Sequence, residues 1–167
     1  MTSVQEAIRL QAASLLEGER DAVANAANLS AHIFQTFPDI NWAGFYFVRG
    51  EQLVLGPFQG KPACVRIAFG AGVCGTAWAQ RRTMNVPDVH VFEGHIACDS
   101  ASNAEIVVPI VQQNGAIIGV LDVDSPARGR FDDGDRELLE ALTALYASAS
   151  DFVSNAYMAE TPPKEFS

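Results

Sequence analysis

Basic side chains are scarce in this sequence, and long apolar runs are absent. Lysine and arginine number 11 in 167 residues, against 20 aspartates and glutamates, so the formal net charge is −9. A surface of that sign repels nucleic acids and anionic membranes. No apolar run has the length of a membrane-spanning helix, and the first residues lack the basic and apolar segments of a secretory signal. The sequence therefore predicts a cytoplasmic protein that binds neither nucleic acid nor membrane.

Cysteine is also sparse, and its spacing excludes the common cysteine-based scaffolds. The three cysteines are Cys64, Cys74 and Cys98. Three is an odd number for a disulfide framework, and no C-x-x-C pair is present, so neither that framework nor a metal site is predicted. His90 and His95 are interpreted as hydrogen-bonding loop residues. In a cytoplasmic protein any disulfide would be transient or catalytic.

The order of apolar patterns predicts a single α+β domain. Two helical patterns come first, a mostly antiparallel central sheet follows, and a closing helix ends the domain, with the helices at both ends packed on the sheet. In "NWAGFYFV", Trp42 and Tyr46 share one strand face. The expected division is residues 1–158 for the domain, with helices in 1–37, sheet and loops in 41–124, a final helix in 132–158 that Asp132 or Asp133 can cap, and a loose tail in 159–167.

The middle of the chain carries two of the cysteines. "ACVRIAF" predicts a strand that holds Cys64, and the glycine-rich bend that follows leads into a short helix in which Cys74 is a small packing residue. That bend matches G-x-G-x-x-G, but no second βα unit places an acid about twenty residues later, so a dinucleotide site is not predicted. Residues 88–103 form a long loop, and loops of that length are usually functional.

Two apolar strands, "EIVVPIVQ" and "AIIGVLDVD", are predicted to form a hairpin with a two-residue turn at Asn114-Gly115. That turn places Glu105 opposite Asp124 and Val107 opposite Asp122. Three carboxylates then share one face at the open end of the hairpin. Two interpretations stay open: the acids are solvated where the ends splay, or they form a site that holds a cation or keeps one carboxyl protonated.

Cys98 lies in "GHIACDSASNAE", among small and polar residues close to those acids. Nearby negative charge raises the pKa of a thiol, so this setting does not favour a permanent thiolate. A general acid beside a cysteine suits attack on an atom that bears oxygen, because that oxygen must be protonated.

Four stretches, "NWAGFYF", "LGPFQGKPACVRIAFGAGVCGTAWA", "DVHVFEGHIACDSASNAEIVVPI" and "GAIIGVLDVDSP", closely resemble the free methionine-(R)-sulfoxide reductases, which are single-domain enzymes of the GAF fold. The resemblance implies reduction of free L-methionine-(R)-sulfoxide with thioredoxin as the external reductant. It also implies a homodimer with no tightly bound cofactor.

The same resemblance implies roles for individual residues. Cys98 is the catalytic thiol that becomes a sulfenic acid, Cys64 is the main resolving thiol that forms a disulfide with it, and Cys74 has an accessory role in exchange. The remaining implied site residues are the acids Glu105, Asp122 and Asp124 and the aromatic pocket residues Trp42 and Tyr46. Glu105 is the best candidate for donating a proton to the sulfoxide oxygen, and the two aspartates can hold the substrate ammonium.

Two non-enzymatic interpretations compete with this one. A GAF module could bind a small ligand and signal, or the same thiols could act as a redox sensor without turnover. Which carboxyl carries the proton, and whether Cys64 or Cys74 resolves first, stay open at the level of sequence.

Overall fold

An antiparallel sheet of six strands organises the described part of the chain. The computed structural model describes residues 2–94 and 101–152. The strands are Trp42–Arg49 (β1), Gln52–Gly60 (β2), Arg66–Ala68 (β3), Met84–Val86 (β4), Ala104–Val111 (β5) and Ile117–Ser125 (β6). Their order across the sheet is β3-β2-β1-β6-β5-β4, and every neighbouring pair is antiparallel. The predicted α+β class is confirmed.

Four α-helices within the described residues accompany the sheet, each close to where the apolar pattern predicts it. They are Ser3–Leu16 (α1), Ala22–Thr36 (α2), Gly72–Gln80 (α3) and Asp133–Ala149 (α4). Asp132 caps α4, because its side chain accepts from the amide of Asp135 at 2.8 Å. A 3-10 turn, Val89–Val91, lies in the long loop. None of the described helices combines the length and the apolar composition that a membrane span requires.

The sheet separates two apolar cores, and β1 contributes to both. Ala43, Phe45 and Phe47 pack on the side covered by α1, α2 and α4. Trp42 and Tyr46 pack on the opposite side, with buried residues of α3. The alternation read from "NWAGFYFV" is therefore confirmed. The second core is smaller, and the acidic residues face it.

The hairpin of β5 and β6 has the predicted register where the acids lie. Glu105 is opposite Asp124, and Val107 is opposite Asp122. On its other edge β6 pairs with β1, which sets Trp42 beside Asp124. The three carboxylates therefore share one face of the sheet, as predicted, and line one cavity.

The turn of this hairpin differs from the predicted one. The predicted two-residue turn pairs Gln113 with Ala116, but the Gln112 amide donates to the Ala116 carbonyl at 2.9 Å, so the loop holds one residue more. Gly115 has a φ of 82°, the left-handed conformation that closes such a loop. The longer loop shifts the register by one residue, and a β-bulge at Ile118 shifts it back. The longer loop and the bulge offset each other, so Glu105 still lies opposite Asp124, as predicted.

Two further predictions need correction. Cys64 lies outside β3, which begins only at Arg66, because the carbonyl of Cys64 accepts from the Tyr46 hydroxyl and Pro62 has no amide hydrogen to donate. The final helix ends at Ala149, where Ser150 caps it, so it does not continue toward residue 158 as predicted. Residues 153–167, which include the predicted tail, lie outside the described residues.

Two glycines of the hairpin should tolerate alanine differently. A Cβ at Gly119 would lie 2.3 Å from the carbonyl oxygen of Tyr46 in the neighbouring strand, so we expect Gly119→Ala to cost about 2–3 kcal/mol of stability. A Cβ at Gly115 would meet no atom within 4 Å, so Gly115→Ala should cost only the left-handed strain, about 1 kcal/mol. Urea unfolding measures both. An equal or smaller cost for Gly119→Ala would contradict the close packing of β1 on β6.

Candidate active site

A cavity lies between the sheet and α3, and most of the predicted site residues line it. Its walls come from β1, β5, β6, the segment before β3 and the first turn of α3. The lining residues are Trp42, Tyr46, Pro62, Ala63, Ile67, Ala71, Gly72, Val73, Cys74, Ser102, Glu105, Asp122 and Asp124. Among these described lining residues none is basic, so the acids face apolar and aromatic surface.

Two of the three acids are almost completely buried. Glu105 and Asp122 are each only 7% exposed, and Asp124 is half-buried. Like charges opposed across two strands destabilise a sheet, and burial of a charge without a partner costs more still. Of the two interpretations of the acids, solvation at splayed ends is therefore wrong for Glu105 and Asp122.

Burial changes the protonation of this cluster. It raises the pKa of the Glu105 carboxyl well above its usual range, and the charges of Asp122 and Asp124 raise it further. Burial also raises the pKa of Asp122 to about 7, although a hydrogen bond with Cys74 opposes that rise. Desolvation favours the neutral acid in both cases. The cluster therefore retains a proton near neutral pH.

One oxygen of Asp122 has an unmet hydrogen-bonding capacity. Its Oδ1 atom is buried and finds no hydrogen-bond partner in residues 2–94 and 101–152. An unpaired buried acceptor costs about 1–3 kcal/mol. That cost is relieved by any ligand that brings an N–H or O–H donor into the cavity.

The thiol of Cys74 belongs to the same cluster of acids. The sequence pattern predicts only a packing role for this residue and not this contact. Its Sγ atom lies 3.9 Å from Oε1 of Glu105, and the residue is 3% exposed. Burial raises the pKa of this thiol, and the charges of Asp122, Glu105 and Asp124 add to the effect. A neutral buried thiol is a weak donor and a poor nucleophile. Cys74 lies in the first turn of a helix that follows a glycine-rich bend, and this position could have indicated its contact with the acids.

Cys74, Glu105 and Asp122 are also a set of donors that could hold a metal ion. One ligand atom from each lies within 4.8 Å of the others. The ligands of a tetrahedral zinc ion lie about 2.0–2.3 Å from the metal, and their mutual distances are correspondingly shorter than this spread. The three side chains would have to move closer together to ligate zinc.

Trp42 and Tyr46 stand side by side on the cavity face of β1. Their ring centroids are 5.9 Å apart, and Phe58 stacks on Trp42 at 5.3 Å. Trp42 Nε1 donates to the carbonyl of Lys61 at 3.1 Å, and the Tyr46 hydroxyl donates to the carbonyl of Cys64 at 2.9 Å. The aromatic pair therefore lines the cavity and also holds the chain segment that carries Cys64.

The cysteines differ in state and in placement. Cys64 is disulfide-bonded and half-buried, next to the cavity-lining residue Ala63. Cys74 is a free, buried thiol. Cys98, the predicted catalytic thiol, and His95 lie outside the described residues.

Polar loop residues complete the cavity wall. Ser102 is buried, and its Oγ accepts from Nδ2 of Asn41 at 3.1 Å. The predicted site residues do not include the Ser102 side chain, although its position three residues before Glu105, where the long loop enters β5, could have indicated it. His90 contacts Oδ1 of Asn103 at 2.8 Å through Nε2, which confirms the predicted loop hydrogen bond.

The raised pKa of Asp122 predicts that stability falls as pH rises. The folded protein holds a proton on this carboxyl up to about pH 7, whereas the unfolded chain loses it near pH 4. The folded state binds more protons between these values, so the free energy of unfolding decreases from about pH 4 to pH 7 and stays lower above it. We expect Asp122→Asn to raise stability at pH 8 by about 1–3 kcal/mol and to flatten this dependence.

Urea unfolding of the reduced protein at pH 5 and pH 8 tests that expectation. Glu51→Gln is the matched control, since it neutralises an exposed carboxyl in the turn between β1 and β2. A wild-type protein that gains stability between these pH values, with Asp122→Asn following the same curve, would contradict a protonated Asp122.

Known proteins are similar to this chain in sequence and in fold. The family model described as GAF domain matches residues 23–151. The chain is 56% identical over 131 residues to the free methionine-R-sulfoxide reductase of Escherichia coli (strain K12), which covers 78% of this chain and 79% of that protein. Two solved structures have a similar fold over 87% of this chain. One is the reduced form of fRMsr of Staphylococcus aureus, which has a TM-score of 0.84 and is 51% identical, with 94% of its chain covered. The free methionine-R-sulfoxide reductase from Neisseria meningitidis in complex with its substrate has a TM-score of 0.83 at 44% identity over 87% of its chain. The resemblance seen in the motifs is confirmed: the chain belongs to the GAF-domain family, in the group of the free methionine-R-sulfoxide reductases.

Proposed function

We propose that this protein reduces free L-methionine-(R)-sulfoxide to L-methionine through a cysteine sulfenic acid, a disulfide and an external dithiol, with thioredoxin as that dithiol. One observation carries the proposal: a single cavity joins buried, partly protonated acids to an aromatic pair that holds the segment of Cys64. The names of the similar proteins point to the same substrate.

The acids and the aromatic pair match the two ends of this substrate. The ammonium of a free amino acid is a donor that can satisfy the buried Oδ1 of Asp122, and Asp124 lines the same cavity. The methyl-sulfur end is soft and apolar, which suits contact with the rings of Trp42 and Tyr46. A methionine sulfoxide within a peptide has no free ammonium to offer, so the acids favour the free amino acid.

The length of the chain limits how far Cys98 can lie from this cavity. Ser102 lines the cavity, and the four Cα–Cα steps from Cys98 to Ser102 span at most about 14 Å. We propose Cys98 as the nucleophile on the strength of this tether and of its motif.

In the first step, the sulfur of Cys98 attacks the sulfoxide sulfur, and a protonated carboxyl, which we assign to Glu105, donates to the sulfoxide oxygen. The sulfur–oxygen bond of the substrate breaks, the Cys98 sulfur forms a new bond to the protonated oxygen and becomes a sulfenic acid, and the proton of the Cys98 thiol restores the carboxyl. Methionine sulfur gains two electrons and Cys98 loses two. The raised pKa of Glu105 supports this role, because a general acid must hold its proton at the working pH.

In the second step, the thiol of Cys64 attacks the sulfenic sulfur of Cys98, a sulfur–sulfur bond forms, and the oxygen leaves as water. An external dithiol then reduces the Cys64–Cys98 disulfide by exchange and is itself oxidised. The disulfide-bonded state of Cys64 and the free state of Cys74 are consistent with this order. Cys74 is proposed as an accessory thiol, reached only if its buried side chain becomes exposed. The proposed steps require no metal and no bound cofactor, and the homodimer stays a prediction.

Methionine formation with thioredoxin, thioredoxin reductase and NADPH tests the proposal. We expect the wild-type protein to turn over free methionine-(R)-sulfoxide and not the (S) isomer. Cys98→Ser should form no methionine. Cys64→Ser should form about one methionine per protein and then stop, because the sulfenic acid is made but not resolved with thioredoxin.

Cys74→Ser is the matched control, since serine nearly preserves size and a donor group. It should recycle with thioredoxin, and normal recycling by Cys64→Ser would instead make Cys74 the resolving thiol. Full turnover by Cys98→Ser, or no methionine from the reduced wild-type protein, would contradict the reductase and leave the thiol redox sensor or the ligand-binding module.

A further inference from the structure

We propose that Trp42 and Tyr46 are positioning residues for disulfide formation, because their polar tips fix the segment that carries Cys64. This role rests on the proposed function and adds to the lining of the substrate pocket. It concerns the second step, after methionine has formed.

The segment between β2 and β3 is held by side chains of β1 as well as by its own backbone. The carbonyl of Lys61 accepts from Trp42 Nε1 at 3.1 Å, and the carbonyl of Cys64 accepts from the Tyr46 hydroxyl at 2.9 Å. One residue further on, the carbonyl of Val65 accepts from the amide of Leu55 at 3.0 Å. Cys64 therefore has a hydrogen-bonded carbonyl at its own position and another directly after it.

The two donors are themselves rigidly placed. Trp42 and Tyr46 are each 2% exposed, and their rings stack in a row with Phe58. They project from β1, which lies between β2 and β6 in the interior of the sheet. Burial and the nearby charge of Asp122 raise the pKa of Tyr46, so its hydroxyl keeps the hydrogen that it donates.

The chemistry of resolution depends on this placement. The attacking sulfur must come within about 2 Å of its partner with the Cα atoms roughly 4.4–6.8 Å apart, and a displacement of about 1 Å can cost a large factor in rate. A Cys64 carbonyl that is anchored to β1 limits where its thiol can lie. The same rings contact the substrate in the proposed function, so substrate binding and the position of Cys64 are linked through one strand.

Tyr46→Phe tests this role because it keeps the ring and removes only the donor. We expect the rate of disulfide formation to fall about tenfold, the equivalent of one lost hydrogen bond, and methionine formation in the first turnover to fall by less. Quenched single turnovers measure both rates on the same samples, with methionine released as one readout and sulfenic acid trapped by dimedone as the other. Trp42→Phe should change the same ratio of rates in the same direction.

Tyr146→Phe is the matched control for a merely structural effect. Tyr146 is also buried, and its hydroxyl donates to the carbonyl of Ala22 at 3.0 Å in the other core. This variant should lose stability without changing the ratio of the two rates. If both Tyr46→Phe and Trp42→Phe resolve the sulfenic acid as fast as the wild type, the positioning role is wrong while the reductase proposal stands. If the wild type forms no methionine, both proposals fail.

Discussion

The site is built around carboxylates that are buried opposite one another at the open end of one hairpin. Glu105 lies opposite Asp124, with Asp122 beside them, and no described residue that lines the cavity is basic. Such an arrangement costs stability through desolvation and like-charge repulsion. Protonation relieves part of that cost, which is why the pKa of Asp122 rises to about 7. The buried acids therefore lower the stability of the protein. In return, the proposed function gains carboxyl groups that can donate a proton or bind a cation.

The central strand β1 connects the acids to the redox chemistry. Its apolar face belongs to the helix-covered core, and its other face carries Trp42 and Tyr46 into the cavity. Trp42 is paired with Asp124 of β6 on one edge of the strand, and the side chains of Trp42 and Tyr46 donate to the carbonyls of Lys61 and Cys64. One strand thus carries the proposed substrate-contacting rings and holds the segment of Cys64, the proposed resolving thiol, so we expect changes in β1 to affect both steps of the proposed reaction.

Local patterns predicted much of this arrangement. Period-two alternation assigned Trp42 to the correct face because half-buried strands have few alternatives. The pairing of Glu105 with Asp124 was also predicted, but through a turn that the structure corrects, since the longer loop and the bulge at Ile118 compensate each other. Propensity does not reveal such compensation. The departure of Cys64 from β3 depends on a hydrogen bond from Tyr46, a contact between residues 18 positions apart, and the entry of Cys74 into the acid cluster depends on how α3 packs. Both are tertiary effects that spacing alone does not contain.

The proposed chemistry depends on buried carboxyls that hold a proton near neutral pH, and carboxyl titration measures that proton. Carbon-13 carboxyl signals of the reduced protein can be assigned with Glu105→Gln and Asp122→Asn and followed as pH changes. We expect at least one of the two carboxyls to titrate above about pH 6 in the wild-type protein, well above the ordinary value near 4. Titration of both carboxyls near that ordinary value would contradict this expectation.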